Sequence, residues 1–109
     1  MQIINLTKNH ILAENIFLAD NFLKRLKGLL GYKSFEKNQA MILRPSNAVH
    51  TFFMRFPIDV LFIDRNNTVV KTVSNMGSFR ATGIYLKSVF VIELAAGVIN
   101  STQTREGDY

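Results

Sequence analysis

The sequence contains no cysteine, and its only histidines are His10 and His50. Without cysteine the chain has no disulfide framework, no thiolate metal site and no cysteine nucleophile. Neither histidine has a second histidine or an acidic cluster at the spacing of metal ligands. The sequence therefore predicts no metal site, and we expect no cofactor.

Long apolar runs are also missing. No run approaches the ~20 residues that a membrane-spanning helix needs, and residues 1–10 lack the basic region and apolar stretch of a signal peptide. We therefore predict a soluble, cytoplasmic protein. The 109 residues are enough for one hydrophobic core but too few for two, so a single domain over residues 1–109 is expected.

The composition is that of a globular chain rather than a disordered one, with 48% hydrophobic and 19% charged residues. Thirteen lysines and arginines against eight acidic residues give a formal net charge of +5. Such a charge attracts anionic partners, including nucleic acid, acidic lipid and acidic protein. Because no run of basic residues exceeds two, the pattern favours a small basic protein over a dedicated nucleic-acid binder.

Short apolar segments bounded by polar turns predict a chain made mostly of strands. Strands are expected over residues 2–6, 11–18, 41–43, 49–54, 58–63, 68–73 and 88–94. Apolar residues at three- and four-residue spacing after Asp20 predict a helix that ends at Gly28 or Gly31, and residues 98–102 predict a short helical turn. The expected fold class is mainly β (β-rich α+β): a compact, mostly antiparallel barrel or sandwich with one or two short helices packed on it.

The clearest local feature is a hairpin around residues 64–67. Its aspartate bonds readily to nearby backbone, and the two asparagines that end the turn tolerate left-handed backbone. Segments 58–63 and 68–73 are therefore expected to pair. The polar segment 74–83, which carries two glycines, predicts an irregular loop.

Two carboxylates share strand faces with apolar residues. Alternation along a strand puts Asp59 on the same side as Leu61 and Ile63, and it puts Glu93 on the same side as Val91. A carboxylate in such a place is either paired or protonated, because an isolated buried charge is very unfavourable.

Two interpretations of this pair stay open. In the functional one, Asp59 and Glu93 converge in a pocket with His50, as an acid and a base or as ligands of a cation. In the structural one, Asp59 accepts backbone N–H groups near the corner at residues 56–57. Glu93 then pairs with an arginine, for which the candidates are Arg25, Arg55 and Arg80.

A serine nucleophile has weaker support. Ser46 precedes His50 by four residues, but on an extended chain their side chains lie more than ~12 Å apart at ~3.3 Å per residue. No strand–turn–helix nucleophile elbow surrounds the serine. A histidine beside phenylalanine and methionine is more often a structural residue than a catalytic one.

Aromatic residues interleave with arginines, a mixture found in proteins that bind single-stranded nucleic acid. The set comprises Phe52, Phe53, Phe56, Phe62, Phe79, Tyr85 and Phe90, with Arg44, Arg55 and Arg80. Most of these aromatics alternate as core residues, and RNP-type motifs are absent. Weak nucleic-acid binding is therefore the least favoured alternative.

Residues 49–64 (VHTFFMRFPIDVLFID) resemble the signature segment of the bacterial and archaeal domain-of-unknown-function 192 family, and the resemblance extends to residues 25–30, 91–97 and 107–108. It implies a compact, mostly antiparallel β-domain with short helices packed against it, and no established activity. The polar positions that recur in that family match Arg25, Met54, Asp59, Glu93, Gly107 and Asp108.

We predict a non-enzymatic binding or accessory module whose partner is a small molecule or a protein. Segments 74–85 and 44–50 and the strand ends near Asp59 are expected to form its binding surface. Candidate binding residues are Arg25, Arg44, Ser46, Arg55, Phe79 and Arg80. The alternative is a small hydrolase-like or sugar- or phosphate-processing enzyme that uses Asp59, Glu93 and His50.

Overall fold

The computed structural model describes residues 2–19, 35–50, 56–77 and 80–109. In chain order the strands in these ranges are β1 (Ile3–Asn5), β2 (His10–Ala13), β3 (Asn15–Ala19), β4 (Gln39–Leu43), β5 (Ile58–Ile63), β6 (Val69–Met76) and β7 (Phe90–Ala95), followed by helix α1 (Val98–Thr102). The helix predicted after Asp20 and strand residues 51–54 lie outside the described residues.

The strands form two sheets. β1 and β2 pair antiparallel as a hairpin, and the other five form a sheet in the order β3-β4-β7-β5-β6. β3 is parallel to β4, and the remaining neighbours are antiparallel. The predicted β-rich, mostly antiparallel fold is confirmed. Within the described ranges the large sheet is open, so the arrangement is sandwich-like and not a closed barrel. β7, the last strand in the chain, lies between β4 and β5.

The single strand predicted over residues 11–18 is wrong, because the chain bends at Glu14 and two strands result. The backbone N–H groups of Glu14 and Asn15 both donate to the carbonyl oxygen of Asn38, at 3.1 and 3.0 Å. These bonds hold the bend beside Asn38, the residue before β4. As a result, β2 lies in the small sheet and β3 lies next to β4 in the large one. An exposed glutamate within the apolar run is the sequence signal for this break.

The hairpin predicted around residues 64–67 is confirmed. The Oδ1 atom of Asp64 accepts the N–H groups of Asn66 and Thr68, at 2.8 and 3.0 Å. Asn67 has left-handed backbone, with φ at 60°. The turn therefore forms through the aspartate and asparagine chemistry that its sequence indicates.

The irregular loop predicted over residues 74–83 begins later than expected. β6 continues to Met76, which pairs with Ile58 at the open end of the β5–β6 hairpin. The side chain of Asp59 supports this extension, because it accepts the N–H of Asn75 at 2.7 Å. The helical turn predicted over residues 98–102 is confirmed as α1.

Apolar side chains cover both faces of the large sheet. One face, which we call the hairpin face, packs against β1, β2 and α1, and its core includes Leu12, Leu61, Ile63, Ile92, Leu94 and Ile99. The opposite face has its own cluster, which includes Met41, Val60, Phe62, Met76 and Val91. β5 and β7 are buried along their whole length, which explains why their sequences are apolar on both sides.

Residues 107–109 join the two sheets. The N–H of Val69 donates to the carbonyl oxygen of Asp108 at 2.9 Å, and the N–H of Gly107 donates to the carbonyl oxygen of Val69 at 2.8 Å. The N–H of Leu6 donates to the carbonyl oxygen of Tyr109 at 2.8 Å. These bonds therefore fix one end of the β1–β2 hairpin to edge strand β6. In the ranges described, no helix is long and apolar enough to cross a bilayer.

Candidate functional site

A cavity of about 360 Å³ lies between the β1–β2 hairpin and the large sheet. On the sheet side it is lined by Leu61, Ile63, Phe90 and Ile92. On the hairpin side it is lined by Ile3, Ile4, Leu6 and Leu12. We call this space the hairpin cavity. Its lining is mainly aliphatic because the hairpin face of the sheet supplies the same side chains that form the core beside it.

Arg44 carries the one charged side chain among the described residues that line the cavity. It follows β4 and keeps the strand direction, since its N–H donates to the carbonyl oxygen of Ala19 at 3.1 Å. Its guanidinium carbon lies 4.5 Å from the centre of the Phe90 ring. This cation–π contact stabilises the arginine at the edge of the cavity, by roughly 0.5–1 kcal/mol at an exposed position.

A buried polar network lies beside the cavity, around Asn5 and Asp108. The amide nitrogen of Asn5 donates to Thr104 Oγ1 and to Asp108 Oδ2, both at 3.0 Å. The amide oxygen of Asn5 accepts the N–H of Lys8 at 3.0 Å. The hydrogen-bonding groups of Asn5 are therefore used within the fold, and this end of the cavity is structural.

The carboxylate of Asp108 is bonded on both oxygens. Lys8 Nζ donates to Oδ2 at 2.9 Å and to Oδ1 at 3.0 Å, and the N–H of Arg105 donates to Oδ2 at 3.1 Å. Desolvation by burial alone raises the pKa of Asp108. The hydrogen bonds from Asn5, Lys8 and Arg105 and the charge of Lys8 outweigh it, so the pKa lies below its ordinary value.

Asp59 is buried on the hairpin face and fixes α1. Its Oδ1 accepts the N–H of Asn75 at 2.7 Å, and its Oδ2 accepts the N–H groups of Gly97 and Ile99, at 3.1 and 2.8 Å. Gly97 is the N-cap of α1 and has no side chain to cap with, so a carboxylate from β5 takes that role. The structural interpretation of Asp59 is supported, although its partners come from β6 and α1 and not from the corner at residues 56–57.

Glu93 is buried on the opposite face of the sheet, where Val60 and Met41 lie directly beside it on the neighbouring strands. Its Oε1 atom has no hydrogen-bond partner within the described ranges. Desolvation by burial raises the pKa of Glu93 from 4.5 to about 8, so the side chain is protonated at neutral pH. The predicted pairing with Arg80 is not present among the described residues, and Arg25 and Arg55 lie outside them.

The structure does not bring together Asp59, Glu93 and His50, which the functional interpretation put in one pocket. Val60 is the residue opposite Glu93, and side chains of paired residues share a face. Asp59 therefore points to the face away from Glu93. His50 is exposed and forms an isolated bridge with Ala81. The three side chains do not line one cleft.

The remaining predicted site residues fall in different places. The Ser46 hydroxyl donates to the carbonyl oxygen of Ala48 at 3.1 Å, as in a structural turn, and not to His50. Arg80 lines a second, more polar cleft of about 370 Å³ between the end of β6 and residues 80–85. Arg25, Arg55 and Phe79 lie outside the described residues. Of the predicted binding residues, Arg44 is the one that the structure places at the hairpin cavity.

No feature of the sequence indicates the hairpin cavity. One wall comes from β1 and β2, and the other comes mainly from β5 and β7. Tertiary contacts decide which face of the large sheet the β1–β2 hairpin covers. The sequence pattern predicts Asn5 and the rim residue Leu6 only as strand residues. Asp108 is indicated by the family resemblance alone, which names no partner for it.

Comparison with known proteins gives these observations a context. The profile of the DUF192 family, described as uncharacterized ACR, matches residues 3–109. A UPF0127 protein of Thermococcus kodakarensis is 33% identical over 97% of this chain and 69% of its own length. A UPF0127 protein of Pyrococcus furiosus is 31% identical over 96% of this chain and 92% of its own length.

Two solved structures share the fold. A protein of unknown function from Novosphingobium aromaticivorans has a TM-score of 0.84 at 17% identity, over 98% of this chain and 79% of its own. A chain from Sinorhizobium meliloti, described provisionally as a transcription regulator, has a TM-score of 0.80 at 19% identity, over 98% of this chain and 87% of its own. At these identities the similarity shows the fold alone.

Proposed function

The chain belongs to the DUF192 family, and we propose that it is a non-enzymatic binding module whose small-molecule ligand occupies the hairpin cavity. The cavity is the observation that carries the proposal. Its volume of about 360 Å³ falls within the ~300–1,000 Å³ of small-molecule sites, and a mainly apolar lining with few polar groups is usual for them.

The rim of the cavity supports this proposal. Ile4 and Leu6 line it and are 41% and 60% exposed. Exposed apolar side chains that edge a concave surface are typical of ligand-binding grooves. A ligand that covers these side chains removes apolar surface from water, which stabilises the complex by about 25 cal/mol for each Å² buried.

The enzyme alternative loses its geometric basis. A hydrolase that uses two carboxylates needs both beside one substrate, within roughly 5–10 Å of each other across an open cleft. The sheet separates the side chains of Asp59 and Glu93, and both carboxylate oxygens of Asp59 are bonded to backbone N–H groups.

The nucleic-acid alternative also loses support. Stacking on bases needs aromatic faces that are open to solvent. In the described part of the predicted aromatic set, Phe62 and Phe90 are buried and Phe56 and Tyr85 are half-buried. Phe62 packs instead against Tyr85, with ring centres 4.6 Å apart and the ring planes tilted by 53°.

The proposal is tested by titration with a neutral apolar fluorophore, N-phenyl-1-naphthylamine. We expect saturable enhancement of its fluorescence with one site per chain. In NMR spectra, the backbone amide resonances of residues that line the cavity should shift on binding, for example those of Ile63 and Val69. The resonance of Asn100, which does not line the cavity, should not shift. Absence of saturable binding, or shifts confined to other regions, would contradict the proposal.

A pair of matched variants sharpens this test. Ile42 and Ile16 are both half-buried isoleucines that pack on the hairpin-face core, but only Ile42 lines the cavity. Ile42→Phe adds volume to the cavity wall and should weaken probe binding at least about tenfold by occupying ligand space. Ile16→Phe should bind like the wild type. Equal binding by the two variants would show that the probe sits elsewhere.

A further inference from the structure

We propose that residues 84–89, which we call the apolar turn, dock the protein on the surface of an anionic membrane. The inference goes beyond the proposed function, because the apolar turn does not line the hairpin cavity and its partner is a lipid surface. It follows from the exposure of the aliphatic side chains in the turn, from the shape of the turn, and from the charges around it.

Three aliphatic side chains of the apolar turn are open to water. Ile84, Leu86 and Val89 are 67%, 88% and 39% exposed, and Leu86 is the most exposed large apolar side chain among the described residues. Single exposed apolar residues are common on protein surfaces. Three within six residues form a local patch, and such patches mark sites of interaction.

The backbone holds Leu86 at the tip of a tight turn. The N–H of Ser88 donates to the carbonyl oxygen of Tyr85 at 2.8 Å, which closes a four-residue turn with Leu86 and Lys87 in its two central positions. Because both central residues are exposed, the apolar surface is convex. A convex apolar tip suits the headgroup region of a bilayer, which yields to inserted side chains, whereas a protein partner would need a pocket of matching shape.

The base of the apolar turn is fixed to the large sheet. The N–H of Tyr85 donates to the carbonyl oxygen of Asn47 at 2.9 Å, and the N–H of Val89 donates to that of Ile63 at 2.8 Å. The Tyr85 ring packs against the buried ring of Phe62. The turn is thus ordered before it meets a partner, so docking requires little additional loss of conformational entropy.

The charge at the tip favours an anionic lipid surface. Lys87, the neighbour of Leu86, is exposed and forms no salt bridge within the described part of the chain. A lysine stem packs along apolar surface while its ammonium group reaches the charged headgroups. Residues 80–89 contain no acidic residue, and neither do residues 44–50, which are hydrogen-bonded beside them.

The charges farther from the tip do not oppose this attraction. Asp64 is the acidic residue next to Ile63, whose carbonyl oxygen accepts the N–H of Val89. The exposed Arg65 follows it directly, so this corner has no net charge. The formal net charge of +5 adds a long-range attraction to an anionic surface.

Binding to lipid vesicles tests the proposal. The full chain is mixed either with vesicles of phosphatidylcholine and phosphatidylglycerol in equal parts or with vesicles of phosphatidylcholine alone, and co-sedimentation measures the bound fraction. Binding to the anionic vesicles should be at least about tenfold tighter and should weaken as salt is raised. No binding to the anionic vesicles, or equal binding to both kinds, would overturn the inference.

Two pairs of matched variants assign the binding to the apolar turn. Leu86→Ser should weaken binding to the anionic vesicles at least about fivefold, whereas Ile11→Ser, at a 51% exposed position on β2, should not. Lys87→Gln should weaken it about fivefold. Lys37→Gln, which removes an exposed lysine before β4, at the opposite end of the sheet, should have a smaller effect. Equal effects within either pair would contradict docking through the turn, and a wild-type midpoint in urea shows that each variant is folded.

A fluorescent reporter shows whether the tip enters the bilayer. The chain contains no tryptophan, so Leu86→Trp carries a single one at the tip of the turn. With anionic vesicles its emission should shift to shorter wavelength and be quenched by lipids with brominated acyl chains, while Ile11→Trp should show neither change. Absence of both changes at position 86 would overturn the inference. If the wild type then self-associates in analytical ultracentrifugation and Leu86→Ser does not, the apolar turn is an interface between copies of the chain and the membrane proposal is wrong.

Discussion

Asp59 and Glu93 lie on paired neighbouring strands, but their side chains are on opposite faces of the sheet. Asp59 faces α1 and has both oxygens bonded to backbone N–H groups. Glu93 faces the other apolar cluster and has one oxygen without a partner within the described ranges. The two carboxyl groups are therefore independent, and each can be tested on its own.

The Asp59→Asn variant should lose stability. Asp59 accepts three N–H groups through two oxygens, and an asparagine NH₂ would face one or two of those donors. We expect the free energy of unfolding to fall by about 1–3 kcal/mol, the usual cost of leaving a buried donor without an acceptor. Urea unfolding measures this change. A wild-type midpoint would contradict the structural role of Asp59.

Asp64→Asn is the matched control for that substitution. Asp64 uses only its Oδ1 atom, which accepts the N–H groups of Asn66 and Thr68. Asparagine supplies an equivalent oxygen and favours the same turn. The free energy of unfolding should therefore change by no more than about 0.5 kcal/mol.

The buried carboxyl of Glu93 should make stability fall as pH rises. Its pKa is about 8 in the folded chain and 4.5 in a model peptide, so between these values the folded state holds a proton that the unfolded state releases. The free energy of unfolding then decreases by roughly 1.4 kcal/mol for each pH unit in this window. Below the window both states are protonated, and above it both are ionised.

Glu93→Gln removes this titration while keeping the shape of the side chain. The variant should lack the contribution of Glu93 to the slope, so the difference in stability between variant and wild type should change steadily from about pH 5 to about pH 8. Urea unfolding at a series of pH values measures it. Parallel pH profiles for the two proteins would contradict burial of a neutral Glu93.

The Asp108 network should contribute stability at neutral pH and lose it in acid. The pKa of Asp108 lies below its ordinary 3.8 in the folded chain, so its contribution is present above that value and disappears as pH falls through the folded pKa. Asp108→Asn should cost about 1–3 kcal/mol at neutral pH, and less in acid. Glu106→Gln, which removes an exposed neighbouring carboxylate, should have little effect, and an equal loss in both would count against the network.

Gly97→Ala should destabilise the start of α1 through its backbone. Gly97 has φ at +99°, and no heavy atom lies within 4 Å of a Cβ added there, so the cost comes from conformation and not from a clash. We expect a loss of about 1 kcal/mol in the free energy of unfolding. Gly83 has equal space, and its φ lies outside the left-handed region. Gly83→Ala should thus be neutral or slightly stabilising, and similar losses in both variants would argue against strain at Gly97.

Local chemistry explains the parts of the fold that the sequence predicts. The turn at residues 64–67 forms through a side chain that bonds two residues and four residues ahead. α1 and the strands β4, β5 and β7 also lie where their apolar patterns indicate, within a few residues. These features depend on neighbours in sequence, which is why pattern and turn chemistry suffice.

The candidate site depends on register, which the sequence does not specify by itself. Alternation correctly places Asp59 with Leu61 and Glu93 with Val91, but the relative faces of the two strands follow from the pairing of Val60 with Glu93. A shift by one residue would bring both carboxylates to one face. The hairpin cavity is likewise a tertiary feature, since its two walls come from distant parts of the chain.

Because β7 lies between β4 and β5, the large sheet cannot be completed during synthesis until residues 90–95 have left the ribosome. Before that, the sheet order allows only two separate ribbons, β3 with β4 and β5 with β6, and two-stranded ribbons are marginally stable in water. In each ribbon one apolar strand, β4 or β5, has backbone N–H and C=O groups that stay unpaired until β7 is present. Unfinished chains with such edges pair readily with one another. A lower density of nascent chains should therefore raise the yield of folded protein.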